Sequence, residues 1–163
     1  MPDWFVSGFS LVGLVAVVLQ QIPGIVRAIR PPAKDPFARN SGGPLVETLE
    51  KTFGIATIVL LVVVFARAPL LPGLSSVFLT GAFAVLATYY AFYVAYYLGV
   101  THLAVLLGMA ACPPLSFLLV ALYQGNYPAL VTSLSFGVVH VGLTYANLGP
   151  GGRQSREPAA RLS

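Results

Sequence analysis

Three groups of residues carry chemistry that their apolar surroundings make conspicuous. The first is His140, in the string Phe136-Gly137-Val138-Val139-His140. An ionisable imidazole inside an apolar helix is costly in lipid and is a functional candidate by default. The second is Cys112-Pro113-Pro114, near the middle of the apolar stretch Thr101–Tyr123. Neither proline donates a backbone hydrogen bond, so the carbonyls of Met109 and Ala110 lose their helical partners. Two outcomes are open: a kink repaired by neighbouring hydroxyls or water, or a broken helix whose free carbonyls line a cavity, as in many transporters. The third is a run of tyrosines, Tyr89, Tyr90, Tyr93, Tyr96 and Tyr97. Tyr96 and Tyr97 suit a membrane interface, whereas the deeper hydroxyls need hydrogen-bond partners.

Depth arithmetic brings these groups together. At 1.5 Å per residue, Cys112 lies about 16 Å from the start of its span, close to a bilayer midplane. His140 lies about 10 Å from the end of its own, and Tyr89, Tyr90 and Tyr93 roughly 9–15 Å from the end of theirs. The expectation is one pocket holding Tyr89, Tyr90, Tyr93, Cys112, Pro113, Pro114, His140 and Thr144, with His140 bonded to Tyr93 or Tyr89. The competing reading is a satisfied structural histidine beside a proline kink. Haem held by two histidines is disfavoured, because His102 and His140 differ in depth by about 10 Å and opposed axial ligands share one level. No metal-ligand spacing is present, and neither a metal nor a cofactor is expected.

Catalytic signatures are also missing from the pattern. No carboxylate falls inside an expected span, which argues against a carboxylate pair or proton relay. There is no GxSxG, no HExxH and no phosphate-cradling loop. Ser116, Ser133 and Ser135 are read as packing hydroxyls. Glu47 and Glu50 are read as helix-end charges, with Glu47 spaced for an i,i+4 pair with Lys51; the functional alternative for the two carboxylates is a proton or cation vestibule.

The elements that must position these residues follow from composition. The chain has 163 residues, 57% hydrophobic and 9% charged, against about 25% charged in soluble domains. The fold class is therefore an all-α polytopic membrane protein, a five-helix bundle with a proline-broken fourth helix. Spans are expected near 4–21, 53–68, 77–99, 101–123 and 127–147, with a loop at 27–43 and a basic tail at 149–163. In the first span Asp3 is the expected cap, and Pro23-Gly24 is expected to kink or end the helix. The second, with only Thr52 and Thr57 polar, is expected to face lipid. In the third, Gly81, Ala84, Thr88, Ala91 and Ala95 form a small-residue strip suited to close helix contact.

Charge fixes the expected orientation. Arg27, Arg30, Lys34, Arg39 and Lys51 flank the first loop, and Arg153, Arg156 and Arg161 lie in the tail. Five spans put both clusters on one side and leave only Arg67 opposite, which the positive-inside bias favours as N-out and C-in. Arg27, Arg30, Lys34 and Arg39 are expected at lipid headgroups, in a cytoplasmic membrane. The net charge of +4 is thus a matter of topology and not of nucleic acid.

The segment from Pro113 to Tyr145 resembles the C-terminal pattern of small, uncharacterised multi-pass bacterial membrane proteins. The matching residues are Pro113, Pro114, Phe117, Leu118, Phe136, Gly137 and His140. The resemblance covers about a fifth of the chain and implies a multi-span bundle but no activity. Function is expected to be that of a structural or partner-binding membrane subunit, associating with copies of itself or another membrane protein. The alternatives are a small-solute or ion transporter using the mid-membrane pocket, and a membrane redox or haem anchor. The first reading requires a packed centre and an exposed strip of small residues; the second requires a polar cavity at mid-depth.

Overall fold

A computed structural model describes residues 6–32, 43–65 and 70–148. It contains five helices: α1 (Leu11–Ile29), α2 (Gly43–Val63), α3 (Ser75–Tyr97), α4 (Leu103–Gln124) and α5 (Tyr127–Leu148). A 3-10 turn at Pro72–Leu74 leads into α3. Among the described residues, the departure from an all-helical plan is a pair of two-residue strands. Val6–Ser7 (β1) pairs antiparallel with Val64–Phe65 (β2), just past the end of α2.

α1, α3, α4 and α5 are long and apolar enough to cross a membrane. α2 has 21 residues but carries Glu47, Glu50 and Lys51. Outward faces are apolar: Val131, Leu134 and Val138 of α5 are 60–72% exposed. Such faces suit contact with a bilayer.

α4 is the centre of the bundle. Eleven of its residues are buried, against five in α1, two in α2, four in α3 and five in α5. It packs chiefly between α3 and α5; α2 packs on α5, and α1 closes the arrangement over α2, α4 and α3. The core at one end joins Ala16 and Val17 of α1, Leu61 of α2, Ala82 of α3, Phe117, Val120 and Ala121 of α4, and Ala129 of α5. At the other end Tyr96, Leu106, Met109 and Leu148 fill the space between α3, α4 and α5.

Several expectations need correction. α4 is not broken at its prolines: helix runs unbroken from Leu103 to Gln124 with Pro113 and Pro114 inside it. Both prolines are buried and α3 and α5 hold α4 from two sides. Proline's φ near −65° suits a helix, so packing tolerates the two missing donors. At Gly137 of α5, an added Cβ would stand 3.1 Å from Pro114 Cβ, so the proline ring takes the space that glycine leaves.

The first helix begins at Leu11, capped by Ser10, whose Oγ accepts from the Gly13 amide at 3.1 Å. Asp3 and Trp4 lie outside the described residues. Pro23 sits inside α1 and does not end it. The carbonyl it orphans, that of Leu19, accepts the Tyr90 hydroxyl at 2.7 Å. α2 begins at Gly43, ten residues before the apolar run that marked it, with Pro44 in its first turn, where a missing amide hydrogen costs nothing. It ends at Val63 because the next two residues pair with β1. Thr57, expected at lipid, is fully buried. The middle of the small-residue strip of α3 lies outside: Ala84, Thr88 and Ala91 are exposed, Gly81 and Ala95 are half-buried, and the buried face is Ala82, Leu86, Tyr89 and Tyr96.

Candidate functional site

The residues expected in one pocket divide between two sides of α4. On the α1–α3 side, Leu86, Tyr89 and Cys112 form one buried cluster, with Tyr90 and Tyr93 packed against it. The Tyr89 and Tyr93 rings meet edge to face at 5.0 Å. The Tyr89 hydroxyl contacts that of Tyr93 and faces the Gln20 amide. Gln20 is 3% exposed, and among the described residues neither its nitrogen nor its oxygen has a partner at hydrogen-bond geometry. Pro113 is buried within α4, and Pro114 faces α5.

His140 and Thr144 belong to the other side. His140 is partnered by Glu50 of α2 and not by a tyrosine: its Nδ1–H donates to Glu50 Oε1 at 2.5 Å. The pair is part-buried, with side chains 28% and 18% exposed. Phe136 stacks on the imidazole, centroids 4.9 Å apart, and its ring lies 3.4 Å from where a Cβ on Gly54 would stand. Thr144 is buried one turn further along α5.

The α2–α5 seam has a constant antiparallel register. Glu50 meets His140, Gly54 meets Phe136, Leu61 shares the core with Ala129, and Asn126 reaches Val64. Thr57 and Ser133, seven residues inward from the ion pair on each helix, therefore occupy one level. Both are fully buried. Thr57 Oγ1 donates to the Phe53 carbonyl at 2.8 Å, and Ser133 Oγ has no hydrogen-bond partner among the described residues. Successive polar levels along the seam are thus about 10 Å apart. That gap is several hydrogen-bond lengths, so the side chains alone form no proton path.

The far end of the seam is a neutral clasp. The C-terminus of α2 leaves carbonyls that its own helix cannot satisfy. Asn126 Nδ2 donates to Leu60 O at 2.9 Å and Val64 O at 2.7 Å. Gln124 Nε2 donates to Leu61 O at 3.0 Å and to Ser10 Oγ at 2.6 Å. The amides of Ser10 and Gly8 take Val62 O and Val63 O. Asn126 Oδ1 also accepts from the Ala129 amide at 3.0 Å, capping α5. Gly125, at φ +66°, makes the left-handed turn that carries the chain from Gln124 to Asn126. The sequence offered a turn here, Gln124–Pro128, but no sign that its amides grip another helix.

Two hollows open on the outside of the bundle. One, about 280 Å³, lies between α4 and α5 beside Ala111, Pro114, Ser133 and Gly137. The other, about 290 Å³, lies between α1 and α3 beside Pro23, Val26, Tyr90, Tyr93 and Tyr97. Both are lined almost wholly by apolar atoms. Of the basic residues expected at headgroups, Arg27 and Arg30 stand at the end of α1, and Lys34 and Arg39 lie outside the described residues. His102 caps α4, its Nδ1 accepting from Ala104 at 3.3 Å. Among the described residues no group of three His, Cys, Asp or Glu is placed to hold a metal.

No protein-family model, curated protein or solved structure matches this chain.

Proposed function

We propose that the protein is a five-span subunit of the cytoplasmic membrane, N-out and C-in, that associates laterally with another transmembrane helix. The observation that carries this reading is the placement of small residues on α3. Ala84, Thr88 and Ala91 face outward, although a small-residue face is what a bundle uses to bring helices close. Thr88 satisfies its own hydroxyl on Ala84 O at 2.9 Å, so nothing polar obstructs that face. The middle of α4, by contrast, is buried among apolar neighbours, which favours a packing subunit over a transporter with a central polar cavity.

A fifth span is supported by α2 itself. Its 21 residues give about 31 Å of helix, one hydrocarbon thickness. Of its charges, Glu50 is matched by His140, and Lys51, one residue further in, is exposed and long enough to reach back toward the helix end. The basic residues of the first loop and the tail then share one side.

The experiment is cysteine cross-linking in native membranes, with Cys112 replaced by alanine. Ala91→Cys on α3 is expected to form a covalent adduct, with a second copy or another membrane chain. Leu134→Cys on α5 is expected to form none. Ala91→Leu is expected to shift the detergent-solubilised protein to a smaller species. No adduct from Ala91→Cys, with size unchanged in Ala91→Leu, would end this reading.

A further inference from the structure

We infer that the hollow between α1 and α3 is a binding site for an anionic phospholipid, with one acyl chain in the hollow and the phosphate on Arg30. The inference needs only the membrane placement of α1 and α3, and is independent of lateral association.

The hollow is built, and Pro23 builds it. Because Pro23 has no amide hydrogen, the Leu19 carbonyl is open, and the Tyr90 hydroxyl bonds to it across the helix pair. That bond draws α3 onto α1 at depth. Between that bond and the one that Tyr97 makes to Arg30, Val26 and Val94 line the apolar space of about 290 Å³. From Tyr90 to Tyr97 the wall is about 10 Å long, the upper part of an acyl chain.

The mouth of the hollow carries the charge that selects the headgroup. The Tyr97 hydroxyl donates to the Arg30 carbonyl at 3.0 Å, which fixes Arg30 at the groove's end. Arg30 is exposed and has no acidic partner among the described residues. A guanidinium presents a fork of donors that matches phosphate oxygens. α1 and α3 both end here, and helix C-termini carry partial negative charge. An anion is therefore held through Arg30 against that background, which makes this residue decisive.

The test measures thermal stabilisation of the delipidated full chain in dodecyl maltoside as lipid is titrated. Phosphatidylglycerol is expected to reach half-maximal effect at about fivefold lower concentration than phosphatidylcholine of the same chains, the weight of one basic residue near a membrane surface. Arg30→Gln, at an exposed position, is expected to melt normally without lipid and to erase that preference. Val94→Trp, which fills the hollow from an exposed site, is expected to weaken both lipids. Equal response to the two lipids in the parent chain overturns the proposal. So does a preference that survives Arg30→Gln, a Val94→Trp variant that binds lipid as well as the parent, or inorganic phosphate alone producing the full shift.

Discussion

The two ends of α2 are fastened to the rest of the bundle by opposite means. At its C-terminus, neutral amides from Gln124 and Asn126 and the backbone of residues 8–10 take the open carbonyls one by one. Nearer its N-terminus, one carboxylate meets one imidazole between α2 and α5. The first end is a geometric solution. Each donor must stand within a few tenths of an ångström of its acceptor, and the cost of error is a buried polar group left unpaired. The second end is an electrostatic one, partly open to its surroundings, and tolerates looser placement. Substitutions at the first end should therefore be severe and indifferent to charge, and those at the second mild and dependent on it.

The severest break is predicted at Gly13. An added Cβ would lie 1.9 Å from the Leu61 carbonyl oxygen and 2.8 Å from Gln124 Nε2. The backbone oxygen cannot swing aside as a side chain would. Gly13→Ala should push α1 off α2 and break the Gln124 bonds with it, costing about 3 kcal/mol or more. A large fall in melting temperature in detergent is the expected readout. A variant that melts like the parent would show that α1 does not seat against α2 as described. Asn126 comes next. Asn126→Ala leaves two carbonyls and the Ala129 amide without partners, about 2–4 kcal/mol. Asn126→Asp keeps the cap for Ala129 but sets a carboxylate against the Leu60 and Val64 carbonyls, and should melt no higher than the alanine variant. If aspartate instead restores parental stability, Asn126 is only a helix cap and the clasp is not what holds α2.

The sequence was more legible at the centre than at these ends. The stretch from Thr101 to Tyr123 stood out by length and its double proline, and α4 is indeed the most buried helix, the one that α3 and α5 pack against. Hydropathy located α3, α4 and α5 closely, because their apolar runs coincide with their helices. It misplaced α2, because a helix that pairs Glu50 with a residue ninety positions away gives no apolar signal over its first two turns. For the same reason Glu50 passed as a helix-end charge, and His140 was matched in depth to tyrosines on a helix that α4 holds away from it. Depth along an axis is readable from numbering. Which face a helix turns to which neighbour is not, and the α3 strip shows it: of five small residues at helical spacing, the central three, Ala84, Thr88 and Ala91, lie on the side the bundle does not use.

The mildest prediction tests the electrostatic end. Both partners sit about 10–12 Å from the nearest helix end, Glu50 from Gly43 and His140 from Leu148, so their agreement in level is what the five-helix register requires. A double-mutant cycle on Glu50→Ala and His140→Ala should give a coupling of about 1 kcal/mol, the scale of a charge-assisted contact between part-buried groups. Glu50→Gln keeps an acceptor for the imidazole N–H but no charge, and is expected to recover about half of that coupling. Phe136 stacks on His140 in either case, so Phe136→Leu in the Glu50→Ala background measures how much the ring holds the imidazole without the carboxylate. A coupling near zero would mean that α2 and α5 are joined here by Phe136 and Gly54 alone. The two ends of α2 would then differ in strength but not in kind, since both would rest on packing and neutral contacts.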